Sequence, residues 1–321
     1  MKDRKKQGGR DPFLHTMGFV ARQWRRQPGY AALIALGVLA MAGIELLLPT
    51  LAGRLIDILT GSGDRDAAIR QGLWVLGAIV GGGALVVALR QGVFMVVIAF
   101  TLRMMSNVAR EAFARVQRLS TDWHANAFAG STVRKISRGM WAFDILNDTI
   151  LVALWPSCVV LLGASVIFAL HWPLMGLAVA LGSVVYIAVT VWLAMRYVTP
   201  AAKLSNQWDS RFGGALADSV TSNAVVKAFG AEDREEARLT RVITRWRNRT
   251  RVMWLRATAA GTTQNVVLVM LRLTIVGLAL LFWWQGTASV GDVVFVLTAY
   301  GVIHAYLRDI GYHIDNFRRS I

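Results

Sequence analysis

Apolar and polar residues are segregated along this chain into long blocks. Six apolar blocks, at about 29–51, 72–100, 142–170, 174–198, 257–284 and 292–315, each approach or exceed the ~20 residues a helix needs to cross a hydrocarbon core. The pattern predicts an all-α membrane protein with six spans. Short polar turns join some of them: Thr60-Gly-Ser-Gly-Asp-Arg-Asp66, His171-Trp172-Pro173 and Gln285-Gly-Thr-Ala-Ser-Val-Gly291, the last followed by Asp292 as a candidate helix cap. Two other connections, over 101–141 and 195–256, are long and charged and lack the Gly/Pro-rich composition of a flexible linker. Ala, Arg, Glu and Leu abound in them, and no proline follows Pro200. Each reads as a pair of antiparallel helices. Arms of 20 and 30 residues would reach ~30 and ~45 Å at 1.5 Å per residue.

Residues 1–12 are charged and Gly-containing, the composition of a disordered tail. In the next segment, 13–27, Phe13, Met17, Val20 and Trp24 fall on one helical stripe, with Arg22, Arg25 and Arg26 off it. This predicts an amphipathic elbow helix lying on the membrane surface; the other reading is a helix packed on protein. Residues 28–321 then form the membrane domain.

Composition narrows the class. The chain is 55% hydrophobic with mean hydropathy +0.47, too apolar for a soluble domain. A net charge of +16 raises nucleic acid as a partner, but the charges are sorted by side. Twenty-nine of the 35 Lys and Arg fall in 1–26, 101–141, 195–256 and 316–321, all on one side of the six spans. The positive-inside rule makes that side cytoplasmic and puts both termini there, with membrane lipids rather than nucleic acid as surroundings. Trp74, Trp172, Trp283 and Trp284 map to the opposite ends and Tyr30, Tyr197 and Trp254 to the basic ends, as interfacial aromatic belts do. The single cysteine, Cys158, excludes an internal disulfide, and the five histidines share no metal-ligand spacing.

Three motifs stand in order on this topology. The first long connection holds Leu119-Ser-Thr-Asp-Trp-His-Ala-Asn-Ala-Phe-Ala-Gly-Ser-Thr-Val-Arg-Lys-Ile-Ser-Arg138. The second holds Val225-Val-Lys-Ala-Phe-Gly-Ala-Glu-Asp-Arg-Glu235, and the sixth span opens on Ser289-Val-Gly-Asp-Val-Val294. Together they resemble the type-1 transmembrane domain of half-transporter ABC exporters, of the lipid-flippase and multidrug-exporter kind, over essentially residues 13–321. The resemblance implies an ATP-driven exporter of a lipid, peptide or amphipathic small molecule, working by alternating access in the bacterial inner membrane. It implies a second transmembrane domain, identical or different, as partner. It implies coupling turns that dock on a nucleotide-binding domain, with candidates Trp123, His124 and Phe128 in the first and Val225, Lys227, Phe229 and Glu232 in the second. The sequence contains no G-x-x-x-x-G-K-[ST] phosphate loop. ATP and Mg are therefore expected in an associated nucleotide-binding domain, either fused beyond residue 321 or carried by a separate chain, and this chain alone is not expected to be an enzyme.

Ionisable residues inside spans each cost on the order of 2.5–3.5 kcal/mol at mid-depth and so mark candidate sites. The candidates are Glu45, Arg90, Arg272, His304, Arg308 and Asp309. Arg272 and Arg308 are the leading candidates for a substrate cavity, followed by Glu45, Arg90 and His304; structural ion pairing or snorkelling is the competing reading for each. Gly77-x-x-x-Gly81, with Gly82 and Gly83, predicts close helix packing. Two rival functions remain. An ATP-independent secondary transporter or channel would favour compact loops on the basic side, and a non-transporting scaffold would lack buried charge.

Overall fold

The structure is a computed structural model that describes residues 12–61, 64–126 and 129–320. The described residues are helical almost throughout, without a strand. In order they form α1 (Pro12–Arg25), α2 (Pro28–Thr60), α3 (Arg65–Gln117), α4 (Thr121–Asn126), α5 (Ala129–Asn147), α6 (Trp155–His171), α7 (Pro173–Trp192), α8 (Thr199–Thr221), α9 (Asn223–Ala228), α10 (Glu232–Trp284) and α11 (Val290–Ser320). Six helical runs are long and apolar enough to cross a membrane: Pro28–Thr60, Arg65–Gln117, Thr132–His171, Pro173–Thr221, Glu232–Trp284 and Val290–Gly311. This is a multi-pass membrane protein. The runs continue well past the apolar blocks, because α3, α8 and α10 carry on through the charged connections as the arms of the two legs.

Two π-helical stretches interrupt the regular hydrogen bonding, Asp148–Leu154 between α5 and α6 and Leu193–Val198 between α7 and α8. Both lie just before a proline, Pro156 and Pro200. Proline lacks an N–H, and its ring collides with the carbonyl four residues back. A wider turn relieves that conflict. The Trp155 N–H reaches the Ile150 carbonyl and the Thr199 N–H the Ala194 carbonyl, each five residues back. The hydroxyl of Thr199 adds a second donor to Ala194, at 2.6 Å.

The chain divides into two compact units, residues 1–183 with 272–321, and residues 184–271. In the first, α2 is central and packs against α3, α6 and α11. Its core gathers Ile34 and Val38 of α2, Val97, Phe100 and Met104 of α3, and Phe143 and Leu146 of α5. The elbow helix joins this core. Val20 is buried in it, Met17, Phe19 and Trp24 pack against it, and Phe19 meets Phe143 edge-on at 5.4 Å. The stripe expected to face lipid is thus turned onto protein. Phe13, the stripe's first residue, has a side chain outside the described set.

Polar bonds explain why. Trp24 Nε1 donates to Asn147 Oδ1 at 3.1 Å, and Asn147 Nδ2 donates to Thr101 Oγ1 at 3.2 Å, a chain running from α1 through α5 to α3. Arg26, just beyond α1, pairs with Glu111 on the α3 arm. The hydrogen bond from Arg26 holds the Glu111 carboxyl below the usual carboxylate range, outweighing the opposing effect of desolvation. A depressed folded-state pKa gives stability that is present above the ordinary value of 4.5 and lost as pH falls through the lower folded value. The protection of α1 amides, taken against their intrinsic exchange rates, is therefore expected to fall selectively as pH drops below about 4.5. Exchange that tracks the rest of the domain would show that this tether is not what holds α1.

The second unit is an antiparallel helical leg. Tyr197 accepts through its carbonyl from Arg256 at 3.3 Å, Ser205 meets Thr250 at 2.9 Å, Trp246 donates to Asp209 at 3.1 Å, and Ser219 donates to Glu235 at 2.7 Å. From Tyr197 the contacts advance by 8, 4 and 10 residues along the outgoing arm and return by 6, 4 and 11 along α10, so the register holds to within two residues along the leg. Trp208 carries Arg211 and Arg245 against its ring, and Phe212 stacks on Trp246 at 5.6 Å.

Candidate functional site

Each leg ends in a helix of six residues. In the first, Ser120 caps α4 by accepting from the Trp123 N–H at 3.3 Å. Trp123 and His124 contact edge to face at 5.1 Å, and His124 Nε2 lies 3.1 Å from the Val116 carbonyl. His124 is thereby bound back onto the α3 arm, while Trp123 remains exposed. Phe128 lies outside the described residues.

In the second leg, α8 stops at Thr221, α9 crosses the tip, and α10 starts at Glu232. Gly230 makes the reversal possible. Its φ of 55° lies in the left-handed region. The Gly230 N–H bonds the Lys227 carbonyl at 3.1 Å and the Ala231 N–H the Val226 carbonyl at 3.0 Å, the paired bonds of a Schellman stop. Glu232, Asp233 and Glu235 then occupy the first turn of α10, where negative charge suits the helix dipole. None of the residues of α9 is buried. Val225 is 58% exposed and Phe229 81% exposed.

The intramembrane charges form two groups. In the first, Glu45 of α2 is buried, at 9% exposure, and is bonded on both oxygens. Arg90 of α3 donates to Oε1 and Tyr306 of α11 donates to Oε2, each at 2.5 Å. One cavity of about 560 Å³ lies on the far side of this trio, between α2, α3 and α11, and one of about 310 Å³ on its basic side. In the second group, Arg272 of α10 sits 6.0 Å from the ring of Tyr300, which lies 5.9 Å from His304 one turn along α11. Arg272 itself is exposed. Arg308 is exposed too and lies 3.9 Å from Asp309.

At the far ends of the spans, α2 and α11 make their closest approach. Ser289 and Asp292 cap α11 reciprocally. The Ser289 N–H donates to the Asp292 carboxylate at 2.8 Å, and the Asp292 N–H donates to Ser289 Oγ at 2.9 Å. Ser289 is the cap residue, and Asp292 completes the box. Asp57 of α2 accepts from Ser289 Oγ at 2.9 Å and from the Gly291 N–H at 2.8 Å. Gly53 and Gly291 face each other there, and a Cβ on either would collide with the other's carbonyl. At Gly77, Gly81 and Gly83 a Cβ would meet open space, whereas at Gly82 it would come within 3.0 Å of Leu48 of α2, so the close packing expected of that run occurs at Gly82, and the backbone-to-backbone approach at Gly53 and Gly291.

Residues 32–306 match the family model of the ABC transporter transmembrane region. The chain belongs to that family. A curated relative of this ABC transmembrane domain, the "ATM1-type heavy metal exporter" of Novosphingobium aromaticivorans, is 28% identical over 280 residues, covering 85% of this chain and 44% of that protein. A solved structure, a bacterial Atm1-family ABC exporter with ATP bound, superposes with a TM-score of 0.71 at 24% identity, over 92% of this chain and 51% of that one. The ABC exporter fold is therefore present, and the chain spans about half the length of the proteins it matches.

Within this ABC transmembrane domain the structure brings Glu45 and Arg90 together, and Arg272 with His304 through Tyr300. It does not bring Arg272 or Arg308 into either cavity beside Arg90. Sequence reasoning missed Tyr306, Asp57 and the Gly53–Gly291 contact. One signal for this region was available: Pro49 inside an apolar block, four residues after Glu45, leaves the Glu45 carbonyl without its helical donor.

Proposed function

We propose that this chain is the transmembrane part of an ATP-driven ABC exporter that moves a lipid, peptide or amphipathic small molecule out of the cytoplasm by alternating access. One observation carries the reading: α9, an unburied six-residue helix presenting Val225 and, at its C-cap, Phe229, held by a Gly230 stop at the end of a long interlocked leg. An apolar tip of this kind on a stiff support fits a groove on a second protein domain. In an ABC protein that domain binds ATP and Mg, fused to the membrane domain or on its own chain. The legs lie in the bacterial cytoplasm beneath the inner membrane, where the arginine bias puts them together with both termini. A second transmembrane domain, identical or different, completes the pathway. The curated relative is named as a heavy metal exporter. Among the described residues no three His, Cys, Asp or Glu gather as a metal-binding group, and the cavities favour an organic substrate.

The test is cross-linking. With Cys158→Ser as background, Val225→Cys is expected to form an ATP-sensitive disulfide with a cysteine placed in the docking groove of the nucleotide-binding domain. If the cysteine at 225 stays freely alkylated in the assembled transporter, α9 is not the docking element.

A further inference from the structure

Taking the exporter reading as given, we propose that the two cavities flanking Arg90 form one binding site for a single-tailed amphiphile with an acidic headgroup, and that Glu45 is an internal competitor for the headgroup's place on Arg90. The two chambers share Arg90 and Tyr306. Val38 and Met41 of α2 line the basic-side chamber, and Leu48, Pro49 and Ala52, further along the same helix, line the far-side chamber. The Glu45–Arg90–Tyr306 layer thus divides one groove along its length. Their volumes of about 310 and 560 Å³ fall within the range of small-molecule sites.

The sign of the ligand follows from which charge is open. The Glu45 carboxylate is buried and has a partner on each oxygen. Arg90 has five N–H donors, and its side chain is 62% exposed at the junction of the chambers. A planar guanidinium suits a phosphate or carboxylate, which it can hold with two parallel bonds. Asp309 also borders the basic-side chamber, but Arg308 lies 3.9 Å from it and offsets its charge. The apolar requirement comes from the far-side chamber, walled by Leu48, Ile79, Val86 and Val302, with Gly83 and Gly301 leaving room where side chains would fill it. When an oxyanion occupies Arg90, Tyr306 still donates to Glu45, so the displaced carboxylate keeps one hydrogen bond.

Competition makes the two members of one ion pair respond in opposite directions. In phosphatidylcholine nanodiscs, decyl phosphate below its micelle concentration is titrated against the full-length protein, with decyl maltoside and inorganic phosphate as separate arms. Decyl phosphate is expected to bind, and the other two at least tenfold more weakly. Arg90→Gln is expected to weaken decyl phosphate binding at least tenfold, while Glu45→Gln tightens it several-fold by removing the competitor. Tyr306→Phe frees Glu45 to hold Arg90 more firmly and should weaken binding about threefold, which gives a second readout if Glu45→Gln does not fold. A purely structural ion pair predicts instead that both substitutions at the pair weaken binding or leave it unchanged, and that result overturns the proposal. Equal binding of inorganic phosphate removes the tail requirement, and equal binding of decyl maltoside removes the acidic one; either refutes the assignment. No ATP or nucleotide-binding domain enters this measurement, so its failure is distinct from failure of the exporter reading.

Discussion

Gly291→Leu is expected to lower the thermal unfolding midpoint in detergent by ~10 °C, equivalent to ~3 kcal/mol. Gly291 stands in the first turn of α11 where the backbone meets Gly53 of α2, and any Cβ there would collide with the Gly53 carbonyl and the Asp57 carboxylate. Neither can yield cheaply. The carbonyl belongs to the helical backbone, and Asp57 is held by Ser289 and by the Gly291 N–H itself. The substitution therefore separates the helices and removes two hydrogen bonds to a charged group, each worth about 1.5–3 kcal/mol when lost from a protected site. Gly81→Leu is the matched control: a Cβ at Gly81 meets nothing within 4 Å, so its midpoint should move by less than about 2 °C. Equal midpoints for the two variants would mean that the α2–α11 contact contributes nothing special.

Phe229→Asp is expected to leave folding intact and to abolish transport-coupled ATP hydrolysis. The side chain is 81% exposed at the C-cap of α9, a helix with no buried residue, so the fold loses no core contact and stability should stay within about 0.5 kcal/mol. In the assembled exporter the same ring is proposed to fill the partner's groove. An aromatic anchor at the centre of such a contact is typically worth 2 kcal/mol or more, roughly thirtyfold in affinity, and a carboxylate adds a desolvation cost. ATPase stimulation by the membrane domain should therefore fall by more than about tenfold, with Phe229→Leu recovering most of it. Normal coupling in Phe229→Asp would move the docking role elsewhere on the leg.

What could be read in the sequence was what repeats or accumulates along it. Six apolar blocks became six crossings, and the charged stretch from Met195 to Arg256 became two arms with its turn between Thr221 and Glu232. A twenty-residue apolar average is insensitive to any single position, which is why these features survive. The contacts that define the candidate site are different in kind. Glu45, Arg90 and Tyr306 come from three helices, and the first and last are separated by 261 residues. No local periodicity encodes which face of one helix meets which face of another. The same reason explains the glycines. Gly77 and Gly81 have the spacing of a packing motif but lie on an open face, whereas Gly53 and Gly291 have no such spacing and meet backbone to backbone. For α1 the stripe was legible but its target was not, because the bond from Trp24 to Asn147 chose protein over lipid.

The π-helical turns before Pro156 and Pro200 bear on how this chain should be compared with its relatives. A π turn amounts to one residue inserted into a helix. Deleting one residue from 148–154 would remove the π turn and swing everything after it by roughly 100° about the axis, at 3.6 residues per turn. Phe168, now 5.1 Å from the ring of Phe295, would rotate off α11. A helix can thus re-aim half a span through a single-codon indel while every apolar block keeps its length. In relatives without these prolines, the matching columns should hold a one-residue gap rather than a substitution.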